Sequence, residues 1–199
     1  MDLDTGDIII NPSWPGHAML VYDQRRIIHG QGKTGGFHKS TLRATNKAGV
    51  PWNIAEGLQI YRFPWNAYNH VNEEEYKAKI KFYADAIEKT ASYGYYRAIR
   101  LQLGKSYFGK GAADRLQKYR ARFGTPKSWD NFDRIMHLSQ VDKGVKTITC
   151  VEAVLITLQL AFPPGTPGFI NLDGAHTMPN QLGAYLKSTW GGQHQMAVV

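Results

Sequence analysis

One cysteine and two histidines could together form a nucleophilic site in this chain. Cys150 lies at the start of the apolar segment TCVEAVLITLQLAF, whereas His17 opens GHAMLVYD and His29 closes RRIIHG far upstream. A thiolate attacks carbonyl carbon, and a neighbouring imidazole accepts the thiol proton and later protonates the leaving group. The sequence must therefore be searched for the elements that bring these three side chains together.

The apolar segment around Cys150 predicts a helix over residues 149–162, which Pro163 and Pro164 end. The first turn of a helix carries unpaired N–H groups and the positive end of the dipole, and both favour a thiolate. Thr147 or Thr149 can cap this helix, and the N–H of Cys150 can face a developing oxyanion. The alternative is that Cys150 is a small buried hydrophobic residue.

Four short segments rich in Ile, Val, Leu and Tyr predict β-strands, at residues 7–11, 17–23, 25–30 and 58–63. The tight link after Asp23 predicts a hairpin across which His17 and His29 could lie opposite one another, with His17 as the base and His29 orienting it. Two ordinary histidines remain the alternative. The stretch from 30 to 57 is interpreted as a long loop, and Asp7 as a residue that shapes a turn.

A helical pattern begins at Asn72, which is predicted to cap a helix together with Glu75. This helix is expected to end near Gly94, and its apolar positions are Tyr76, Ile80, Tyr83 and Ile87. Further helices are predicted over 95–103, 112–123 and 129–138. Together they form a helical insert at about 68–144.

The net charge of +8 comes from one part of this insert, since residues 95–127 hold nine Lys and Arg and one Asp. The rest of the chain has equal numbers of acidic and basic residues, so an anionic partner is expected to meet this segment. A solvated helical face is the alternative. Because aromatic residues alternate with the basic ones, a protein that binds nucleic acid without catalysis is a further, less favoured alternative.

The 199 residues are enough for a single domain spanning 1–199. Cys150 is the only cysteine, so no intrachain disulfide forms and folding in a reducing compartment is expected. We predict neither a signal peptide nor a transmembrane segment, and hence synthesis in the cytoplasm. We expect no cofactor and no metal, because the remaining histidines show no ligand spacing; these are His38, His70, His137, His176 and His194.

The order GDIII, GHAMLVYD, IIHGQG resembles that of NlpC-type papain-like cysteine amidases and peptidases. In that resemblance His17 matches the catalytic base and His29 the third, polar member. Because Cys150 follows these strands, the match is to the circularly permuted branch, whose relatives include lecithin:retinol acyltransferase-like enzymes. CVEA keeps the Cys and Glu of that branch's Cys-Ser-Glu-Leu, while LQIYRF at Leu58 and MPNQL at Met178 resemble its strand before the insert and its Pro-Ser-Asp-Leu turn.

The resemblance implies an α+β, papain-like fold in which a small antiparallel sheet packs against the cysteine-bearing helix. It also implies hydrolysis of amide bonds through a thioester, first of all in peptidoglycan stem peptides, whose anionic polymer would suit the basic insert. Such an enzyme could be an antibacterial toxin or effector that is exported by a dedicated secretion system and has an immunity or inhibitor protein.

A second enzymatic alternative keeps the triad and gives it a lipid or protein-acyl substrate. In that case aromatic residues beside the basic ones would meet a membrane surface, namely Tyr93, Tyr95, Tyr96, Tyr107 and Phe108.

Overall fold

A computed structural model describes residues 3–12, 16–31, 35–41, 58–94, 148–190 and 194–196. Within them the chain is α+β, with one antiparallel sheet of six strands, three α-helices and a short 3-10 helix at Trp65–Ala67. The strands are β1 Ile8–Asn11, β2 His17–Asp23, β3 Arg26–Gln31, β4 Gly36–Thr41, β5 Gln59–Tyr61 and β6 His194–Met196. The helices are α1 His70–Thr90, α2 Cys150–Ala161 and α3 Pro179–Thr189.

The sheet has the strand order β4-β3-β2-β1-β5-β6. All four predicted strands are confirmed, but the interpretation of 30–57 as a loop is wrong for β4, which pairs with β3 from Arg26–Thr41 to Gln31–Gly36. The sequence GFHKST does not predict a strand because Phe37 is its only large apolar residue. Backbone pairing and an ion pair from Lys39 to Asp85 of α1 hold it in place instead. Residues 42–57 lie outside the described part of the chain.

Helix α1 begins earlier than the sequence predicts. Asn69, not Asn72, is the cap, and its side chain accepts a hydrogen bond from the backbone N–H of Asn72 at 2.9 Å. The helix ends at Thr90 rather than near Gly94. Its predicted apolar spacing is confirmed, since Ile80, Tyr83 and Ile87 are buried and Tyr76 packs partly buried against the same core. The three further helices and the basic segment of the insert lie outside the described residues.

Helix α2 is the centre of the fold, and all twelve of its residues are buried. It packs between α1 and one face of the sheet, where Leu20 and Ile28 join it in the larger apolar cluster. Met19, Val21 and Ile27 belong to a smaller cluster on the other face. In the part of the chain that the structure describes, no helix is both long enough and apolar enough to cross a membrane.

Asp7 shapes a turn, as predicted, and also ties the first strand to the end of β5. Its buried carboxylate accepts hydrogen bonds from the backbone N–H of Asp4 at 3.0 Å and of Phe63 at 2.8 Å. Arg62 pairs with the same carboxylate at 2.6 Å. The turn therefore fixes where β1 starts beside β5.

We predict that Asp7→Ala lowers the free energy of unfolding by about 3 kcal/mol, because it strips two backbone N–H groups and Arg62 of their partner. Denaturant titration measures the change. The control is Glu74→Ala, which removes an exposed carboxylate of α1 and should cost less than about 1 kcal/mol. Equal losses in the two variants would contradict the structural role of Asp7.

Candidate active site

Strands β2 and β3 pair only along part of their length. Their register runs from Asp23–Arg26 to Leu20–Ile28 and ends there. Beyond that point β2 continues along β1 and β3 continues along β4. We call this place the fork; it is formed by His17, Ala18, His29 and Gly30. Backbone groups that face the fork are available to side chains that enter it.

The sulfur of Cys150 lies at the fork. The backbone N–H of Ala18 and the hydroxyl of Tyr93 are hydrogen-bonded to it, and the N–H groups of Val151 and of Cys150 itself also favour a negative charge on the sulfur. Thr149 caps α2, as predicted, by accepting a hydrogen bond from Glu152 N–H at 3.1 Å, whereas Thr147 is outside the described residues. The first turn of α2 is thus held against the residue that follows His17.

The two predicted histidines lie side by side. The ring centroids of His17 and His29 are 5.6 Å apart and the rings are nearly perpendicular, at 80°. They are diagonal neighbours rather than opposite one another, because the register of β2 and β3, continued to the fork, places Gln31 opposite His17. The prediction that the rings meet is confirmed, and the expected directly opposed arrangement is wrong.

Strand alternation defines how the thiol and the imidazoles approach each other. Met19 and Ile27, two positions from His17 and His29, lie in the smaller cluster, whereas Ala18 lies with Cys150 in the larger one. Alternation therefore assigns the two rings to the face of the sheet that α2 does not cover. The sulfur comes from the face that α2 covers and reaches the backbone of Ala18, the residue that follows His17.

His29 is held as a neutral ring. Burial and the nearby rings of His17 and His38 lower its pKa from 6.5 to about 4, while a hydrogen bond with the Gly30 backbone opposes the shift. Nε2 of His29 is 2.9 Å from the hydroxyl of Ser40 on β4. His29 therefore acts through hydrogen bonding and packing, because a positive charge on it is disfavoured.

Burial of Cys150 outweighs the effect of the helix terminus. The residue is 4% exposed, and burial raises the pKa of its thiol even though Ala18, Tyr93 and the N–H groups at the start of α2 act in the opposite direction. The start of the helix favours the thiolate, as expected, but burial has the larger effect on the pKa. A base has to remove the proton when the thiol reacts.

Tyr93 also lies at the fork, although the sequence analysis named it only in the lipid alternative, as one of the aromatic residues that would meet a membrane surface. Its ring lies on Gly30, where a Cβ atom would be 2.2 Å from Cδ2 of Tyr93, and it packs edge-on against Phe37. Its backbone N–H donates to Gly35 at 2.8 Å, and the adjacent Ser92 accepts from Ile148 N–H at 2.9 Å. A glycine inside the strand that carries His29 is the sequence signal for this close approach.

Among the residues that the structure describes, no group of three or more His, Cys, Asp and Glu side chains is placed to hold a metal ion.

We predict that the stability of the protein falls as the pH is lowered from 7 to 5, in part through His29. The unfolded imidazole takes up a proton near pH 6.5 and the folded one only near pH 4, so the unfolded state binds more protons between these values. The protonation of this ring in the unfolded state lowers the free energy of unfolding at pH 5 by about 2 kcal/mol relative to pH 7. Denaturant titration of wild type and His29→Gln should show a shallower pH dependence in the variant.

His70→Gln, at an exposed histidine that begins α1, is the control and should keep the wild-type pH dependence. Identical profiles for His29→Gln and wild type would contradict a His29 that the fold keeps neutral.

We predict that Gly30→Ala destabilises the protein by about 1–3 kcal/mol, because the new methyl group overlaps the ring of Tyr93. In a Tyr93→Ala background the same change should cost much less, which a double-mutant cycle measures. Gly36→Ala, whose Cβ would be 3.4 Å from His38 Nε2, is the matched control. Additive effects of the two changes would contradict the contact.

No family model, no curated protein and no solved structure matches the chain. The geometry of the fork therefore supplies the argument for function.

Proposed function

We propose that this protein is a cysteine hydrolase with a circularly permuted, NlpC-type papain-like fold, which cleaves amide bonds through a thioester. One observation carries the proposal: the sulfur of Cys150, at the start of α2, accepts a hydrogen bond from the N–H of the residue after His17. The contact between the rings of His17 and His29 adds to it. The antiparallel sheet packed against the cysteine-bearing helix agrees with that fold.

In the proposed acylation step His17 takes the thiol proton and the sulfur attacks the carbonyl carbon of the substrate. This path follows from the raised pKa of the buried thiol, which leaves the proton on sulfur until a base removes it. The C–N bond then breaks, and His17 gives the proton to the leaving amine. Water hydrolyses the thioester, which yields a carboxylic acid and restores the thiol of Cys150.

Two hydrogen-bond donors at the sulfur are well placed to serve the oxyanion. The N–H of Ala18 and the hydroxyl of Tyr93 both contact Sγ, so both lie within reach of an oxygen on the carbon that Sγ attacks. They join the backbone N–H of Cys150, which the sequence had indicated for this task. Tyr93 is fixed by its contact with Gly30, which makes its hydroxyl a preorganised donor.

His29 is proposed as a positioning residue rather than as a charged partner. Its neutral ring packs edge-on against His17, and Ser40 fixes it from β4. Such support limits the rotation of the His17 ring and keeps it directed toward the fork.

The preferred substrate is a peptide amide bond in an anionic polymer such as peptidoglycan. Residues 95–147 connect Gly94 to Ile148 in the sequence. The backbone N–H of Gly94 donates a hydrogen bond of 2.8 Å to the carbonyl of Ile148. Tyr93 and Cys150 flank that junction, so the strongly basic sequence 95–127 is attached directly beside the site. Use of the protein as an exported antibacterial toxin, met by an immunity protein in the producing cell, is part of this proposal.

We predict that the protein releases new amino termini from purified peptidoglycan and that Cys150→Ala abolishes this release. His17→Gln should lower kcat by about 10²–10⁴-fold, since it removes the base. Tyr93→Phe should lower kcat by about 10–10³-fold with little change in KM, since it removes one oxyanion donor. Amine release, mass spectrometry of the fragments and thermal unfolding of each variant provide the readouts, and His70→Gln is the matched control.

Full activity of Cys150→Ala would refute the nucleophile assignment. Loss of acyl chains from phospholipid vesicles, without amine release from peptidoglycan, would instead favour the lipid or protein-acyl alternative, with the same dependence on Cys150. Salt-sensitive binding to nucleic acid that Cys150→Ala leaves unchanged, with no turnover of either substrate, would contradict an enzyme.

A further inference from the structure

A second histidine, outside the fork, is paired with a carboxylate. Nδ1 of His176 is 2.7 Å from Oδ2 of Asp173, and the two residues lie in the turn between α2 and α3. The side chain of Asp173 is 8% exposed and that of His176 is 33% exposed. The carboxylate is therefore buried behind a ring that reaches the surface.

The turn holds this pair through several hydrogen bonds. The other oxygen of Asp173 accepts from the N–H of Ala175 at 3.0 Å. The backbone carbonyl of Asp173 accepts from the N–H of His176 at 3.0 Å and from the hydroxyl of Thr177 at 2.7 Å. Both members of the pair are thus fixed relative to each other before any ligand arrives.

Contacts at both ends of the turn place it beside the candidate active site. A Cβ atom on Gly174 would be 3.3 Å from Cα of Glu152, in the first turn of α2 that begins with Cys150. Pro179, at the end of the same turn, lies against Gly16, where a Cβ atom would be 3.3 Å from its Cγ. Gly16 immediately precedes His17. The turn therefore joins the nucleophile's helix to the strand of the proposed base.

The pair has the chemistry of an acceptor site. Nδ1 donates its hydrogen to the carboxylate of Asp173, so in the neutral form of the ring Nε2 is left as an acceptor beside that carboxylate. Within the described part of the chain, the hydrogen bond of this ring is the one to Asp173.

We propose that Asp173 and His176 form an anionic subsite beside Cys150 that binds an ammonium or N–H group of the substrate. This deepens the proposed function and rests on it, because the subsite selects the peptide that the thiol attacks. The basic insert attracts the anionic polymer as a whole, and the pair selects a cationic or N–H-bearing group close to the reacting bond.

Charged thiol reagents test the subsite without the natural substrate. Cys150 is the only cysteine, so its modification gives a single mass increase. Rates are measured for three methanethiosulfonates, one with a trimethylammonium group, one with a sulfonate group and one neutral. We expect Asp173→Asn to lower the ratio of cation to anion rates about three- to fivefold, because a nearby unit charge in water shifts the two rates in opposite directions.

His176→Lys adds a positive charge and keeps the Asp173 carboxylate, so it should lower the same ratio. It tests the subsite even if Asp173→Asn fails to fold. The matched controls are Glu74→Gln and His70→Lys, which make the same charge changes at exposed positions early in α1 and should leave the ratio at the wild-type value. Unchanged ratios in both subsite variants, with normal modification by the neutral reagent, would overturn the subsite alone. A wild-type thiol that resists all three reagents until the protein is unfolded would overturn the proposed function and the subsite with it.

Discussion

The end of the pairing between β2 and β3 is the constraint on which the site depends. Had the ladder continued past Leu20 and Ile28, the N–H of Ala18 would face a neighbouring strand instead of a sulfur atom. Strand β1 pairs with the His17 end of β2, and β4 pairs with the Gly30 end of β3. Both segments therefore stay ordered although they do not pair with each other at the fork. At the His17 end of β2, one edge of the strand is hydrogen-bonded to β1 and the other edge is open to the thiol. A strand inside a sheet can in this way offer a backbone N–H to a reacting group.

This arrangement has an electrostatic consequence, because it disfavours a charge on Cys150 and on His29. Burial raises the pKa of the Cys150 thiol and lowers that of the His29 imidazole, so each group favours its neutral form. An ion pair of thiolate and imidazolium at this depth would have to overcome the desolvation of both charges. Proton transfer to His17 during attack, with charge passing directly to a carbonyl oxygen near Ala18 and Tyr93, avoids that cost.

The sequence was informative wherever a local pattern determined the structure. Apolar periodicity predicts α2 and its Thr149 cap, and short branched runs predict β1, β2, β3 and β5, because burial selects those patterns. It failed for β4, whose polar residues are held by pairing with β3 and by Lys39, and for the true cap of α1 at Asn69. It also missed the role of Tyr93 and the raised pKa of Cys150, since both arise from contacts between segments distant in sequence.

The junction between Ser92–Gly94 and Ile148 connects these observations. Backbone hydrogen bonds join residues 92–94 both to Ile148, just before α2, and to Gly35, just before β4. The sulfur of Cys150 and the hydroxyl of Tyr93 therefore meet at the two ends of residues 95–147. Because the backbone N–H of Gly94 donates a hydrogen bond to Ile148, the basic sequence 95–127 is connected to the fold within a few residues of Cys150. In the proposed function, substrate attraction by that sequence and bond cleavage at the fork can therefore be altered by separate substitutions.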